Sequence, residues 1–157
     1  MAGDTDLIKL YSRRILALAA DIPHVGRLPQ ADASTTRRSP LCGSMITVDV
    51  KVENSRITAF GQNVKACALG QAAASVVGAQ IIGRTEEDLR AARNQLRAML
   101  AADGPTPAPP FEGLEVLRPA RDYKNRHASI MLALEAALEA MQKAEQVAEQ
   151  TRLRPDA

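Results

Sequence analysis

The stretch from Ser39 to Cys67 limits the fold more than any other part of the chain. Within it, Ile46, Val48, Val50 and Val52 alternate with Met45, Thr47, Asp49 and Lys51, the period of a strand with one apolar face. Glu53-Asn54-Ser55 is a short polar turn, and Arg56 to Gly61 reads as a second strand returning antiparallel to the first. The small-residue run from Cys67 to Gly83 is too long for a strand and is rich in Ala, which predicts a helix. Such a hairpin leaves the sheet and returns to the same end. It carries Cys42, in a loop closed by Gly43, toward Cys67 at the start of the helix. A thiol at the positive end of a helix dipole is a candidate for thiolate chemistry.

On either side of this hairpin the pattern is mostly helical. Leu7, Ile8, Tyr11, Ile15 and Leu18 recur at helical spacing from Thr5 to Ala20, with Asp4 or Thr5 available as a cap. That helix should stop before Pro23, because the residue ahead of a proline avoids the helical region. Pro23-His24-Val25-Gly26 is a turn, and the polar segment Leu28 to Pro40 predicts an edge strand or extended loop. Gly83 suits the end of the Ala-rich helix, and Thr85-Glu86-Glu87-Asp88 has the form of a capping box with Asp in the Glu position. The helix that follows, Glu86 to Ala102, gathers Leu89, Ala92, Leu96 and Met99 on one face, with Arg90, Arg93 and Arg97 toward another. Asp103 to Pro110 holds four prolines and a glycine, a surface linker.

Pro119 is placed to start the last helix near its first turn. From His127 the apolar positions Ile130, Met131, Leu134, Leu138 and Met141 are three and four apart, so His127 falls on the core-facing stripe. Past about 143 the chain turns to Lys, Glu, Gln and Arg, and it is expected to fray or protrude. The whole is an α+β expectation for residues 1–157 as a single domain: an antiparallel sheet of about three strands packed against helices, with a long C-terminal helix.

Composition narrows the function classes. Twenty Lys and Arg against 18 Asp and Glu leave a formal charge of +2, which gives no electrostatic case for nucleic acid. The acidic start Met-Ala-Gly-Asp-Thr-Asp lacks the features of a secretory signal, and no run has the length and apolarity of a membrane span. The expectation is a cytoplasmic protein. In a reducing compartment two cysteines point to metal, redox chemistry or plain packing before a structural disulfide.

Pro-Leu-Cys-Gly before a strand, Cys-Ala-Leu-Gly-Gln-Ala-Ala-Ala-Ser opening a helix, Gly-Arg-Thr before the next helix and Arg-His-Ala-Ser-Ile-Met in the last occur in a fixed order from about Leu7 to Ala140. Together they resemble the iron-sulfur cluster assembly scaffolds of the IscU/NifU type. The resemblance implies an α+β fold and an exposed site of three cysteines and an aspartate, with a histidine beside the third cysteine. That site takes iron or a nascent iron-sulfur cluster, or zinc, as a binding function without turnover. A cysteine desulfurase supplies the sulfur, recipient apo-proteins take the cluster, and a homodimer is compatible. By position Cys42 matches the first cysteine, Cys67 the second and His127 the histidine. The aspartate position is Ser44 and the third cysteine position is Ala128. The chaperone-binding Leu-Pro-Pro-Val-Lys segment appears only as Leu117-Arg118-Pro119-Ala120-Arg121.

Tetrahedral zinc wants four ligands, and clusters are commonly held by four thiolate or imidazole donors. Cys42, Cys67 and His127 supply three, so a fourth has to come from a serine, water, a partner or a second subunit. The plainer reading makes both cysteines packing residues and His127 a satisfied core histidine. Two functions from different classes stand: a cluster or metal scaffold, and a degenerate paralogue kept as an interaction or regulatory module for a cysteine desulfurase or a related complex. A dithiol enzyme is a weaker third, since the chain has no Cys-x-x-Cys.

Overall fold

Three strands form an antiparallel sheet in the order β1 (Ala33–Arg38), β2 (Met45–Glu53), β3 (Arg56–Lys65). A computed structural model describes residues 11–40 and 43–153. Cys42 therefore lies outside the described residues, as do the expected caps Asp4 and Thr5. The edge-strand expectation for the segment before Pro40 holds as β1, and β3 runs four residues beyond the expected Gly61. Asn54 and Ser55 take left-handed backbone angles, φ 53° and 61°, between the paired Glu53 and Arg56. A two-residue hairpin loop with both residues left-handed matches the twist of its strands.

Helix α1 (Arg13–Ala20) starts at Ser12, whose hydroxyl accepts the Ile15 N–H at 3.3 Å. Helix α2 (Ala68–Ala79) has Cys67 as its N-cap residue. It ends at Gln80, three residues before the expected Gly83. Gly83 instead forms a turn at φ 88° and donates its N–H to the Ile57 carbonyl, tying the end of α2 to β3. Helix α3 (Glu86–Ala102) has the expected bounds and the reciprocal box: Thr85 Oγ1 accepts from the Asp88 N–H, and Asp88 Oδ2 from the Thr85 N–H. The last helix, α4 (His127–Arg152), begins eight residues after Pro119. Pro119 sits inside a 3-10 stretch, Glu112–Asp122, and a second short one, Lys124–Arg126, leads to His127. Inside a regular α-helix a proline ring clashes with the carbonyl four residues back and leaves that hydrogen bond unmade. Past residue 143, α4 continues to Arg152 with an exposed end.

The core lies between one face of the sheet and the helices. Ile46, Val48 and Val50 of β2 are buried, as are Ile130, Leu134, Leu138 and Met141 of α4, which packs across β1 and β2. Each such side chain contributes about 1.5–3 kcal/mol by leaving water. Helix α1 packs on α2, which also packs on α4, and α3 packs on α4.

The second face of β2 departs from simple alternation. Asp49 is 1% exposed, because the segment from Gly26 to Leu28 folds back over it. Arg27 donates from Nε and Nη2 to the Asp49 carboxylate at 2.7 and 3.1 Å, the Leu28 N–H donates at 3.0 Å, and the Ser34 hydroxyl also bonds it. Buried Gln62 makes a second tie, donating to the Pro23 and Ala74 carbonyls at 2.9 and 3.3 Å. Buried polar groups are tolerated when every such bond is made. These two residues fix the 23–28 segment against β2, β3 and α2.

Candidate functional site

The chemistry gathers where the β1–β2 loop, the start of α2 and the start of α4 meet. The ends of that loop are pinned: the Ser39 N–H donates to the Ser44 carbonyl at 2.8 Å, and the Gly43 N–H to the Ser39 carbonyl at 3.1 Å, with Gly43 at φ 69°. Cys42 falls between these residues in sequence. The buried Ser44 hydroxyl meets the buried Ser129 hydroxyl at 2.8 Å, and Ser129 Oγ lies 3.6 Å from Cys67 Sγ. A line of two hydroxyls thus runs from the loop that contains Cys42 to the other thiol.

Gly70 makes this approach possible. A Cβ there would stand 2.5 Å from Ser129 Oγ and 2.9 Å from the Ala66 Cβ, closer than real carbon contacts allow. Only glycine leaves room for the hydroxyl one turn into α2.

Cys67 is half-buried and free. Burial pushes its thiol pKa up, since a low-dielectric surrounding penalises the thiolate. The N–H of Gly70, the Ser129 hydroxyl, the N–H of Leu69 and the Arg126 side chain outweigh that and hold it below the ordinary thiol value. Two of these are amides of the first helical turn, which face any anion at the N-cap. The sulfur is thus a partly exposed thiol whose thiolate form is favoured.

His127, half-buried at the first turn of α4, turns Nε2 toward the carbonyls of Ala120 and Arg121, at 3.0 and 3.1 Å. Carbonyls only accept, so Nε2 carries the hydrogen, which leaves Nδ1 as the nitrogen that could offer a lone pair to a metal. A backbone carbonyl on one ring nitrogen is the usual partner of a histidine that ligates through the other. The 3-10 stretch that offers those carbonyls is itself held: Arg118 donates to Asp103 Oδ1, the Gly104 carbonyl and Thr106 Oγ1 at 2.8–3.0 Å. The Asp103 to Pro110 linker is thereby clamped to the segment that orients His127.

The described residues bring Cys67 together with Ser129, Ser44 and Arg126. Among them no three His, Cys, Asp or Glu side chains converge on one point. A thiol favoured as thiolate and an imidazole with one nitrogen already satisfied are donors of the kind that iron, zinc or a cluster takes. Ser129, Gly70 and Arg126 were not among the expected site residues. The available signal was helical: Arg126 and Ser129 are three apart at the start of α4, so they share a face. A groove of about 670 Å³ between α1, the end of α2 and Pro110–Gly113, with Leu18, Pro23 and Val76 on its wall, contains none of these residues. Among the described residues no helix is long and apolar enough to cross a membrane.

Residues 10–109 match the NifU-like N terminal domain family. The chain is 30% identical over 92 residues to the iron-sulfur cluster assembly scaffold proteins IscU 1 and IscU 2 of Archaeoglobus fulgidus, a match covering 58% of this chain and 60% of each relative. The chain thus spans about three-fifths of the length of the curated relatives it matches. Among solved structures, a nitrogen-fixing NifU-like protein (N-terminal) from Brucella abortus superposes with a TM-score of 0.87 at 40% identity, covering 90% of this chain and 98% of that one. FiSufU of the thermophile Fervidobacterium islandicum AW-1 has a TM-score of 0.75 at 18% identity, covering 85% and 98%, a likeness of fold alone.

Proposed function

The chain belongs to the NifU-like N-terminal domain family, and from that premise we propose that it is an iron-sulfur cluster assembly scaffold. Its cargo is iron or a nascent iron-sulfur cluster, held by Cys42, Cys67 and His127 and passed on; zinc fits the same donors. The function is binding and transfer without turnover, with a cysteine desulfurase supplying sulfur and apo-proteins receiving the cluster. Cytoplasmic location goes with that assignment.

The observation that carries the reading is the half-buried Cys67 thiol at the N-cap of α2, 3.6 Å from Ser129 Oγ, where the Gly70 N–H, Ser129, the Leu69 N–H and Arg126 favour its thiolate despite burial. A packing cysteine has no use for such surroundings, whereas a ligand needs the deprotonated sulfur. His127 supports it by holding one ring nitrogen on the Ala120 and Arg121 carbonyls.

The test is iron, zinc and acid-labile sulfide per chain in anaerobically purified protein, beside the Cys42→Ser, Cys67→Ser and His127→Ala variants. Iron with matching sulfide in the parent, lost in both cysteine variants with the fold retained, is the expected result. Metal content unchanged in both variants ends the ligand assignment. A second reading, the interaction module for a desulfurase complex, draws on Ser44: where the resemblance places an aspartate, its hydroxyl is engaged with Ser129. A folded parent that takes up no metal after reconstitution would select that reading.

A further inference from the structure

We infer that Ser129, backed by Ser44, is a positioning residue that donates a hydrogen bond to the Cys67 sulfur when that sulfur binds metal, and so weakens it as a donor. The inference rests on the scaffold reading and goes beyond its ligand set. Cys67 Sγ and Ser129 Oγ are 3.6 Å apart, and Ser129 Oγ and Ser44 Oγ 2.8 Å. Ser129 is 1% exposed and Ser44 3%, so water does not compete freely for either hydroxyl.

The direction of the bonds follows from valence. A metal-bound cysteine is a thiolate and can only accept. Each hydroxyl has one hydrogen, so Ser129 gives its hydrogen to the sulfur, and the hydrogen between the two serines then comes from Ser44. Residue 70 has to lack a Cβ for the hydroxyl to fit, and the three contributing residues come from the β1–β2 loop, α2 and α4.

Hydrogen bonds to ligating sulfur are among the levers that set the electronic properties of a metal–thiolate centre. A donated hydrogen stabilises the sulfur lone pair, so moving an electron from sulfur to metal takes more energy. Deleting the hydroxyl lowers that energy.

The experiment titrates Co²⁺ alone, without oxygen, into the full chain and into Ser129→Ala and Ser44→Ala, reading the sulfur-to-cobalt charge-transfer band and the binding constant. Ser129→Ala is expected to move the band to longer wavelength, and Ser44→Ala to move it less in the same direction. A Ser129 that merely fills space would change affinity or stability and leave the band in place; an unmoved band in a folded Ser129→Ala overturns the inference. Should that variant fail to fold, Ser44→Ala carries the same decision. Should the parent give no cobalt–thiolate band, the scaffold reading fails separately. The sulfur–hydroxyl contact is then read in the metal-free Cys42→Ala chain from the infrared S–H stretching band of Cys67, which Ser129→Ala should shift. An unmoved band there rejects the contact.

Discussion

Arg27 and Asp49 form a two-point ion pair, Nε to Oδ2 at 2.7 Å and Nη2 to Oδ1 at 3.1 Å, in which the carboxylate is buried and the guanidinium faces solvent. The cost of the buried charge is met by this pair, by the Ser34 hydroxyl and by the Leu28 N–H. Burial pushes the Asp49 pKa up, but the bonds from Arg27, Ser34 and Leu28 and the Arg27 charge leave it below the ordinary carboxylate value. A carboxyl with a lowered folded-state pKa contributes stability above its unfolded pKa, about 3.9, and loses it as pH falls through the folded value. Asp49→Asn should therefore cost stability at neutral pH, about 1–3 kcal/mol from weakened or lost bonds to a charged group. Its penalty should shrink as pH falls below about 4, read by urea unfolding at each pH. An equal penalty at pH 7 and pH 3 would reject the assignment.

Gly70→Ala sets two effects against each other. Alanine gains about 1 kcal/mol of helix propensity over glycine, whereas a Cβ 2.5 Å from Ser129 Oγ and 2.9 Å from Ala66 forces a buried side chain to move. Overpacking of that kind costs about 1–3 kcal/mol, so the net expectation is a loss of stability. Denaturant unfolding measures it, and a gain relative to the parent would show that the site yields freely.

Much of this was readable in advance because it depends on local periodicity. The β2 alternation, the capping box at Thr85 and Asp88, the α3 bounds and the apolar stripe of α4 are each written in spacings of two, three or four residues. What the spacing did not give depends on distant partners. Asp49 reads as a solvent-facing strand position, and only the return of Arg27 and Leu28 over the sheet makes it buried. Pro119 fits the first turn of a helix, whereas it lies in a 3-10 stretch whose Arg118 bonds the distant Asp103, Gly104 and Thr106. At the site, Cys67 stands where its helix-start context put it. Ser129 became visible only through a contact 62 residues away in sequence.

Thr85→Ala removes the hydroxyl that accepts the Asp88 N–H at 3.1 Å. Loss of an N-cap side chain costs about 1 kcal/mol, and here the Asp88 carboxylate still bonds the Thr85 N–H at 2.9 Å. Half of the box therefore survives the substitution. The expected loss lies in the lower part of the usual 0.5–2 kcal/mol range, measured by thermal or urea unfolding. Thr85→Ser, which keeps the hydroxyl, should recover most of it. A serine variant as unstable as the alanine would place the effect in the methyl group's packing instead.

The last prediction concerns the charge on Cys67. Burial raises its pKa, and the Gly70 N–H, Ser129, the Leu69 N–H and Arg126 together bring it below the ordinary thiol value. In Cys42→Ala protein, where Cys67 is the single cysteine, alkylation rate against pH should have its midpoint below the value of about 8.5 for a free thiol. Arg126→Gln should move that midpoint upward by removing one of the groups that favours the thiolate. The same shift enters stability: because the unfolded thiol binds its proton more tightly, the Cys67 contribution grows as pH rises through the folded midpoint and is complete above about 8.5. Stability of the parent should accordingly climb across that window relative to Cys67→Ala. A midpoint at or above that of an unfolded peptide would remove the thiolate, and with it the argument that Cys67 is poised as a ligand.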